Sequence, residues 1–241
     1  MNRKILSIDW DYFIDASLDE RSLYFPDGGN EELSMHIQNI IWVSRYMKIK
    51  DRKSLIDFEV RKKDITTLQH ILLDNSEAIT LIADSHKHIY EFIHELREKY
   101  GWGKIDITNI DYHHDLFDIG EGINCGNWFN HLINEGIVGN STWIKHSDSD
   151  TSTMVGKIEE KTSLKDIENE GFSAIFLCRS NMWSPPHLDA EFNKVVSLIK
   201  RRFTSGVKMQ HGTDKDRYVT YAYDLAIKDQ EELLKRLGDG T

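Results

Sequence analysis

Cysteine, proline, basic charge and long apolar runs are all scarce in this chain. The two cysteines, Cys125 and Cys178, are too few and too far apart for a disulfide framework or a CxxC zinc site, and both read as ordinary reduced thiols. Three prolines in 241 residues, with no Pro/Gly/Ser-rich stretch or internal repeat, offer no linker, so residues 1–241 read as one domain. No run of about 18 apolar residues marks a membrane span. The basic start of MNRKILSIDW meets Asp9 before a signal-peptide core develops, which makes the cytoplasm the expected compartment. With 30 Lys and Arg against 40 Asp and Glu, the net charge is −10. That balance argues against nucleic acid and anionic membrane surfaces as partners and suits a cationic substrate. Oligomeric state is not legible, and a homo-oligomer is compatible with everything above.

What is present is a repeated alternation of short apolar runs and amphipathic segments. Residues 4–9, 77–83, 105–110 and 173–178 read as buried strands, and residues 141–146 as a further one. Helical periodicity covers residues 31–47, with Met35, Ile37, Ile40, Ile41, Val43 and Met47 as its apolar stripe. It recurs over 64–73 with Asp64 as N-cap, over the segment ending at Gly101, and over 127–136, 187–202 and 229–238. Residues 49–64 are charge-rich and read as a surface excursion, and 146–163 as a polar loop. Strands alternating with helices predict an α/β fold: three layers, α/β/α, around a mainly parallel sheet.

In such sheets ligands bind beyond the carboxyl ends of the strands. Three strands here deliver the same chemistry at that end: Asp9-Trp10-Asp11, then Ser85-His86-Lys87-His88, then Asp111-Tyr112-His113-His114-Asp115. If the backbone stays extended, Asp9 and Asp11 share one side, as do Asp111, His113 and Asp115. Taken alone, Asp9 and Asp11 would serve as a cap and a solvated turn residue, or as the aspartate pair of a phosphatase. Either of His86 and His88 would serve as a ligand. Clustered carboxylates repel and lose hydration unless a cation offsets them. The convergence therefore predicts a metal site with Asp9, Asp11, His86, Asp111, His113 and Asp115 as ligands. Two oxygen-rich sites with one imidazole each suit two Mn2+ ions better than tetrahedral structural zinc.

These residues resemble the motifs of the arginase-like (ureohydrolase) superfamily: DxHxD at Asp111, His113 and Asp115, SxDxD at Ser7, Asp9 and Asp11, and a histidine at His86. The segment CGNW at 125–128 is similar to the SGN stretch of that family. The set SIDWDYF, DSHKHIYEF, NIDYHHDLFD, CGNWF and CRSNMWSPPHLD resembles most closely the small peptide arginases that modify ribosomally made peptides. The resemblance implies an arginase/deacetylase-like fold with permuted strand order, because SxDxD precedes DxHxD here. It also implies a dinuclear manganese centre, and hydrolysis of arginine residues in a precursor peptide to ornithine and urea. By the same resemblance Asp115 would orient the attacking water and Asn127 would contact substrate. The proton-shuttling histidine of arginases falls at Phe129, so it is not carried over, and no counterpart of their guanidinium-pairing glutamate is found.

A general acid must still protonate the departing amine. His114, His131 and His187 are candidates, with His187 preferred because it follows the strand at 173–178. Trp183, Trp10 and Tyr12 are expected to line the entrance and pack on an arginine side chain. Other hydrolases of the same scaffold, acting on free arginine or agmatine or as zinc deacetylases, and a metal-binding module without turnover are the alternatives.

Overall fold

Short apolar segments with no polar face have only one stable place in an α/β protein, the inside of a parallel sheet covered on both sides. The computed structural model of the chain describes residues 2–25, 33–50, 53–118, 121–152, 154, 158–217, 228 and 235. In chain order the elements are β1 (Arg3–Asp9), a 3-10 turn (Trp10–Phe13), β2 (Ile14–Asp15), α1 (Leu18–Tyr24), α2 (Met35–Tyr46), β3 (Ile49–Lys50) and β4 (Lys53–Ser54). β5 (Glu59–Val60), α3 (Lys62–Asp74), β6 (Ile79–Ala83), α4 (His88–Tyr100), β7 (Ile105–Asp111), α5 (Trp128–Asn134) and β8 (Val138–Lys145) follow. The described elements end with β9 (Glu159–Lys161), β10 (Ala174–Cys178), α6 (Asp189–Arg202) and β11 (Val207–Met209).

Seven strands form one sheet in the order β11-β6-β10-β1-β7-β8-β9, and every pairing within it is parallel. The period-2 alternation of a strand separates two cores. Leu6 and Ile8 of β1 and Ile175 and Leu177 of β10 pack with Leu68, Ile71 and Leu72 of α3 and Phe192, Val195 and Ile199 of α6. Ile5 and Phe176 face the other way, onto Ile89, Phe92 and Ile93 of α4 and Trp128, Phe129 and Leu132 of α5. The three-layer α/β/α architecture expected from the alternation is therefore present. α4 stops at Gly101, whose φ of +64° is the left-handed cap that glycine adopts without a Cβ clash. Among the described residues no helix is long and apolar enough to cross a membrane.

Three local expectations are corrected. The apolar stripe of α2 faces outward: Met35, Ile37, Ile40 and Met47 are exposed, while Gln38, Trp42, Arg45 and Tyr46 are buried. Aromatic area and hydrogen-bonded polar groups outweigh the aliphatic periodicity there. Residues 49–64 are no mere surface excursion, since Leu55, Phe58 and Val60 are buried and β2 pairs with β5. α3 starts two residues before Asp64, with Arg61 at the N-cap, and Asp64 instead makes a 2.6 Å ion pair with Arg61. The helix expected over 229–238 lies, apart from Lys235, outside the described residues.

Candidate metal centre

The sheet order creates the crevice. From β1 the chain places β6 on one side and β7 on the other, and the ends of strands diverging in this way form the ligand-binding cleft of open α/β sheets. Asp9 ends β1 and Asp111 ends β7, with Ile8 of β1 in register with Ile110 of β7. His86 follows β6 in the turn before α4.

His86 lies at the centre of one group. Its Nδ1 is 3.1 Å from Asp9 Oδ2, 3.2 Å from Asp111 Oδ2 and 2.9 Å from Asp115 Oδ2. Its Nε2 is 2.7 Å from Ser7 Oγ, and its ring stacks on Phe176 with centroids 5.6 Å apart. If Nε2–H donates to the serine, the Nδ1 lone pair is left facing the carboxylates, the arrangement that orients metal-ligating histidines. His113 forms the second group, its Nδ1 3.1 Å from Asp11 Oδ2 and 3.9 Å from Asp111 Oδ1. Asp9, His86 and Asp111 make one constellation and Asp11, Asp111 and His113 another, each with its donor atoms within 4.8 Å of one another. Asp111 belongs to both.

This donor set fits a hard divalent cation. Asp9, Asp11, Asp111 and Asp115 are all buried, with His113 Nδ1 3.1 Å from Asp11 Oδ2. Burial, followed by repulsion from Asp11 and Asp111, pushes the Asp9 carboxyl up to about 7. Burial and then Asp115 and Asp11 hold Asp111 well above the usual carboxylate range. Burial works against charge on Asp11 too, but the imidazolium of His113 and the guanidinium of Arg21 keep it lowered. Burial likewise opposes the charged forms of both histidines. The surrounding carboxylates win, raising His113 to about 9 and His86 well above its ordinary value. In the absence of a cation the cluster thus retains protons, and a divalent ion would replace them as counter-charge.

The shared face does not come from extended backbone. Asp11 sits in the 3-10 turn after β1, where its backbone N–H donates to Asp9 Oδ1 at 3.2 Å. Asp115 turns inward through a left-handed φ of +54°, a conformation that aspartate adopts more readily than bulkier residues. Its Oδ2 then accepts the indole N–H of Trp128 at 2.5 Å. Arg21 of α1 fixes the other turn, donating through Nη2 to the carbonyls of Asp11 (2.8 Å) and Ile14 (3.0 Å). Its guanidinium lies 3.7 Å from the centroid of the Tyr112 ring.

Of the ligands expected from sequence, Asp9, Asp11, His86, Asp111, His113 and Asp115 are all brought together. His88 is not among them: it starts α4 and faces Asp84 at 3.8 Å. Trp183 stands beside the centre, its ring 5.0 Å from that of His113. Trp10 and Tyr12 do not line an entrance. Each is about 1% exposed, with Trp10 against Phe13 and Phe192 and Tyr12 against Phe13, because the 3-10 turn folds both rings into the core. Asn127 holds its own loop, accepting from Asn124 N–H at 2.8 Å and donating to the Gly122 carbonyl at 2.9 Å.

His187 is placed apart from the carboxylates as well. Its Nε2 lies 3.1 Å from the Phe58 carbonyl and its Nδ1 2.7 Å from Tyr46 Oη. A carbonyl only accepts, so Nε2 donates and Nδ1 accepts from the tyrosine. Burial lowers its pKa, and the expected general-acid role is not carried forward. His114 is buried, its Nδ1 accepting from Leu116 N–H at 2.9 Å and burial pushing it down to about 4. Four neighbours of the centre had no role assigned from sequence: Ser7, Arg21, Trp128 and His146. Ser7 carries the one usable signal, since it shares the face of β1 with Asp9 at a spacing of two. His146 follows β8 with its ring 5.6 Å from that of Tyr112. Comparison with family models, curated proteins and solved structures finds no match to this chain.

Proposed function

We propose that the chain is a manganese-dependent amidinohydrolase that converts arginine residues of a precursor peptide to ornithine, releasing urea. The observation that carries this reading is the pair of carboxylate–imidazole groups sharing Asp111, built from the residues that resemble the DxHxD and SxDxD motifs of arginase-like proteins. Asp9, His86 and Asp111 would hold one Mn2+ and Asp11, Asp111 and His113 a second, with Asp115 beside His86. When bound, such ions supply Lewis acidity that lowers the pKa of a water molecule to near neutrality.

The residues of the chain account for the remaining requirements. Guanidinium is cationic at any physiological pH, which suits the chain's net charge of −10. Asp115, held by the Trp128 indole, would accept a proton from the attacking water and return it to the departing nitrogen. The water oxygen ends in urea, the bond from the guanidino carbon to the side-chain nitrogen breaks, and that nitrogen leaves as the ornithine amine. Trp183, half-buried next to His113, offers a face for the guanidinium or its aliphatic stem.

The test is incubation of manganese-loaded protein with an arginine-containing peptide. Urea is expected to appear with a matching mass loss in the peptide, and both signals are expected to vanish in Asp111→Asn. Manganese binding without urea from any peptide, free arginine or agmatine would refute the reading.

A further inference from the structure

A second group of buried polar side chains, rich in the opposite charge, surrounds the loop after β10. Three arginines are buried around the loop after β10: Arg45 of α2 (1% exposed), Arg179 and Arg217. Asp189 is the one buried carboxylate among the described residues that meets them. It receives Arg217 through both oxygens, Nη2 donating to Oδ1 at 2.6 Å and Nε to Oδ2 at 2.9 Å, and lies 3.8 Å from Arg179 Nη1. Arg179 donates through Nε to Asn181 Oδ1 and through Nη1 to the carbonyls of Thr213 and Lys215. Arg45 is different. Its Nη1 donates to the Met182 carbonyl, and its guanidinium sits 4.6 Å from the Trp42 ring centroid, but Nε and Nη2 are buried with no hydrogen-bond partner among the described residues.

Unused donors collect on the same loop. Ser180 Oγ and Ser184 Oγ are buried and have no hydrogen-bond partner among the described residues, although the backbones of both residues are tied down. The Ser180 carbonyl accepts from Ser184 N–H at 2.9 Å, and the Ser184 carbonyl accepts from Arg217 Nη2 at 2.7 Å. Ser180 also holds a left-handed φ of +57°, strain that native structures retain where function requires the geometry. A buried cation without an anion is among the costliest arrangements in a protein. Arg45 reaches this loop at Met182, between the two serines in the chain, and free N–H and O–H donors of this kind have the chemistry of an oxyanion receptor.

We infer that Arg45, with Ser180 and Ser184, forms a binding site for a small oxyanion, either a carboxylate or a phosphate. This inference stands on the arginine cluster and does not depend on the metal centre or on any turnover. Two sources share the chemistry: a carboxylate carried by the substrate, or a free anion. The position favours the first, because Met182, which anchors Arg45, is the chain neighbour of Trp183 at the metal centre.

The experiment compares melting temperatures in sodium phosphate and sodium chloride at equal ionic strength, for wild type, Arg45→Met and Ser184→Ala. Phosphate at ten times its Kd is expected to raise the wild-type Tm by about 3–5 °C, with the rise absent in Arg45→Met and reduced in Ser184→Ala. General salting effects act on all three proteins alike and cancel. In chloride, Arg45→Met is expected to melt no lower than wild type, since it removes an unpaired buried charge. An equal phosphate response in wild type and Arg45→Met would overturn the inference. So would absence of any response in wild type, with Arg45→Met markedly destabilised, because the charge is then compensated within the chain. If Arg45→Met does not fold, an undiminished response in Ser184→Ala is the overturning result. To separate the sources, two arginine peptides are compared, one with a free C-terminal carboxylate and one amidated. At least tenfold tighter binding of the free acid by wild type, lost in Arg45→Met, assigns the site to substrate. Equal binding, with the phosphate response intact, assigns it to a free anion.

Discussion

Raising the pH on metal-free protein tests the electrostatics of the carboxylate cluster most directly. His113 is raised from 6.5 to about 9. A histidine whose folded-state pKa lies above its unfolded value binds its proton more tightly in the fold. Its contribution is complete below pH 6.5 and is lost as the pH climbs through 9. The 2.5-unit difference is worth about 3 kcal/mol, and the 27% exposure of the side chain trims this to about 2–3 kcal/mol. His86, raised through its carboxylate neighbours, acts with the same sign. Asp9, raised to about 7, also favours its protonated form, so its contribution disappears between about pH 4 and 7. Below pH 6.5 other groups oppose these. His114 and His146 are each pushed down to about 4 by burial, and protonating them costs stability as the pH falls. The window from pH 6.5 to 9 therefore isolates the site. Urea denaturation in the presence of a chelator at pH 6.5, 7.5 and 9 is expected to show stability falling by at least 2 kcal/mol, and the fall is expected to shrink in His113→Gln. With manganese present the stabilisation by metal is expected to grow over the same window, because ligands must shed protons to bind. Stability that is flat or rising in chelator from pH 6.5 to 9 would refute the account of the cluster.

Three further outcomes follow from the geometry. Asp111→Asn is expected to eliminate saturable manganese binding in calorimetry. The metal-free variant should stay folded and at least as stable as wild type, since it loses a buried carboxylate already biased toward protonation. Trp128→Phe keeps the ring packing and removes the N–H that holds Asp115. Manganese affinity is expected to fall about 10–100-fold with the far-ultraviolet circular dichroism unchanged. Ile40→Glu on the exposed side of α2 is expected to change the unfolding free energy by less than about 0.5 kcal/mol. Trp42→Ala on its buried side should cost about 3–5 kcal/mol, both read by denaturant titration.

The contrast between Ile40 and Trp42 marks where sequence reasoning loses resolution. Strands β1, β6, β7 and β10 are legible because burial on both faces concentrates short isoleucine- and leucine-rich runs there, and α4 is legible from one apolar face and a glycine stop. α2 was recognised as a helix but assigned the wrong face, since its inner side relies on Trp42, Tyr46 and a buried arginine. Partners of that kind come from distant segments: the Trp42 indole donates to the Asn181 carbonyl. The candidate site followed the same division. Asp9, Asp11, His86, Asp111, His113 and Asp115 were legible because strand ends concentrate ligands, although Asp11 and Asp115 arrive through a 3-10 turn and a left-handed residue. Trp128 and Arg21 were not legible, because nothing near them in sequence indicates which carboxylate or carbonyl they will meet. The expected roles of Trp10 and His187 rested on adjacency to motifs, and both side chains point into other packing.

The position of β10 in the sheet has a consequence for synthesis. β10 lies between β6 and β1, yet it is made about sixty residues after Asp115, the last aspartate of the cluster. While residues 174–178 remain inside the ribosome, β6 has no neighbour that can hold it at its final distance from β1. His86 therefore cannot meet Asp9 and Asp111, even though all three side chains have already emerged. If the cluster holds a metal, its capture would have to wait for β10, and a nascent chain lacking that strand would display its carboxylates without being able to sequester an ion. Such long-range parallel pairing is also slow, which would place folding before any loading.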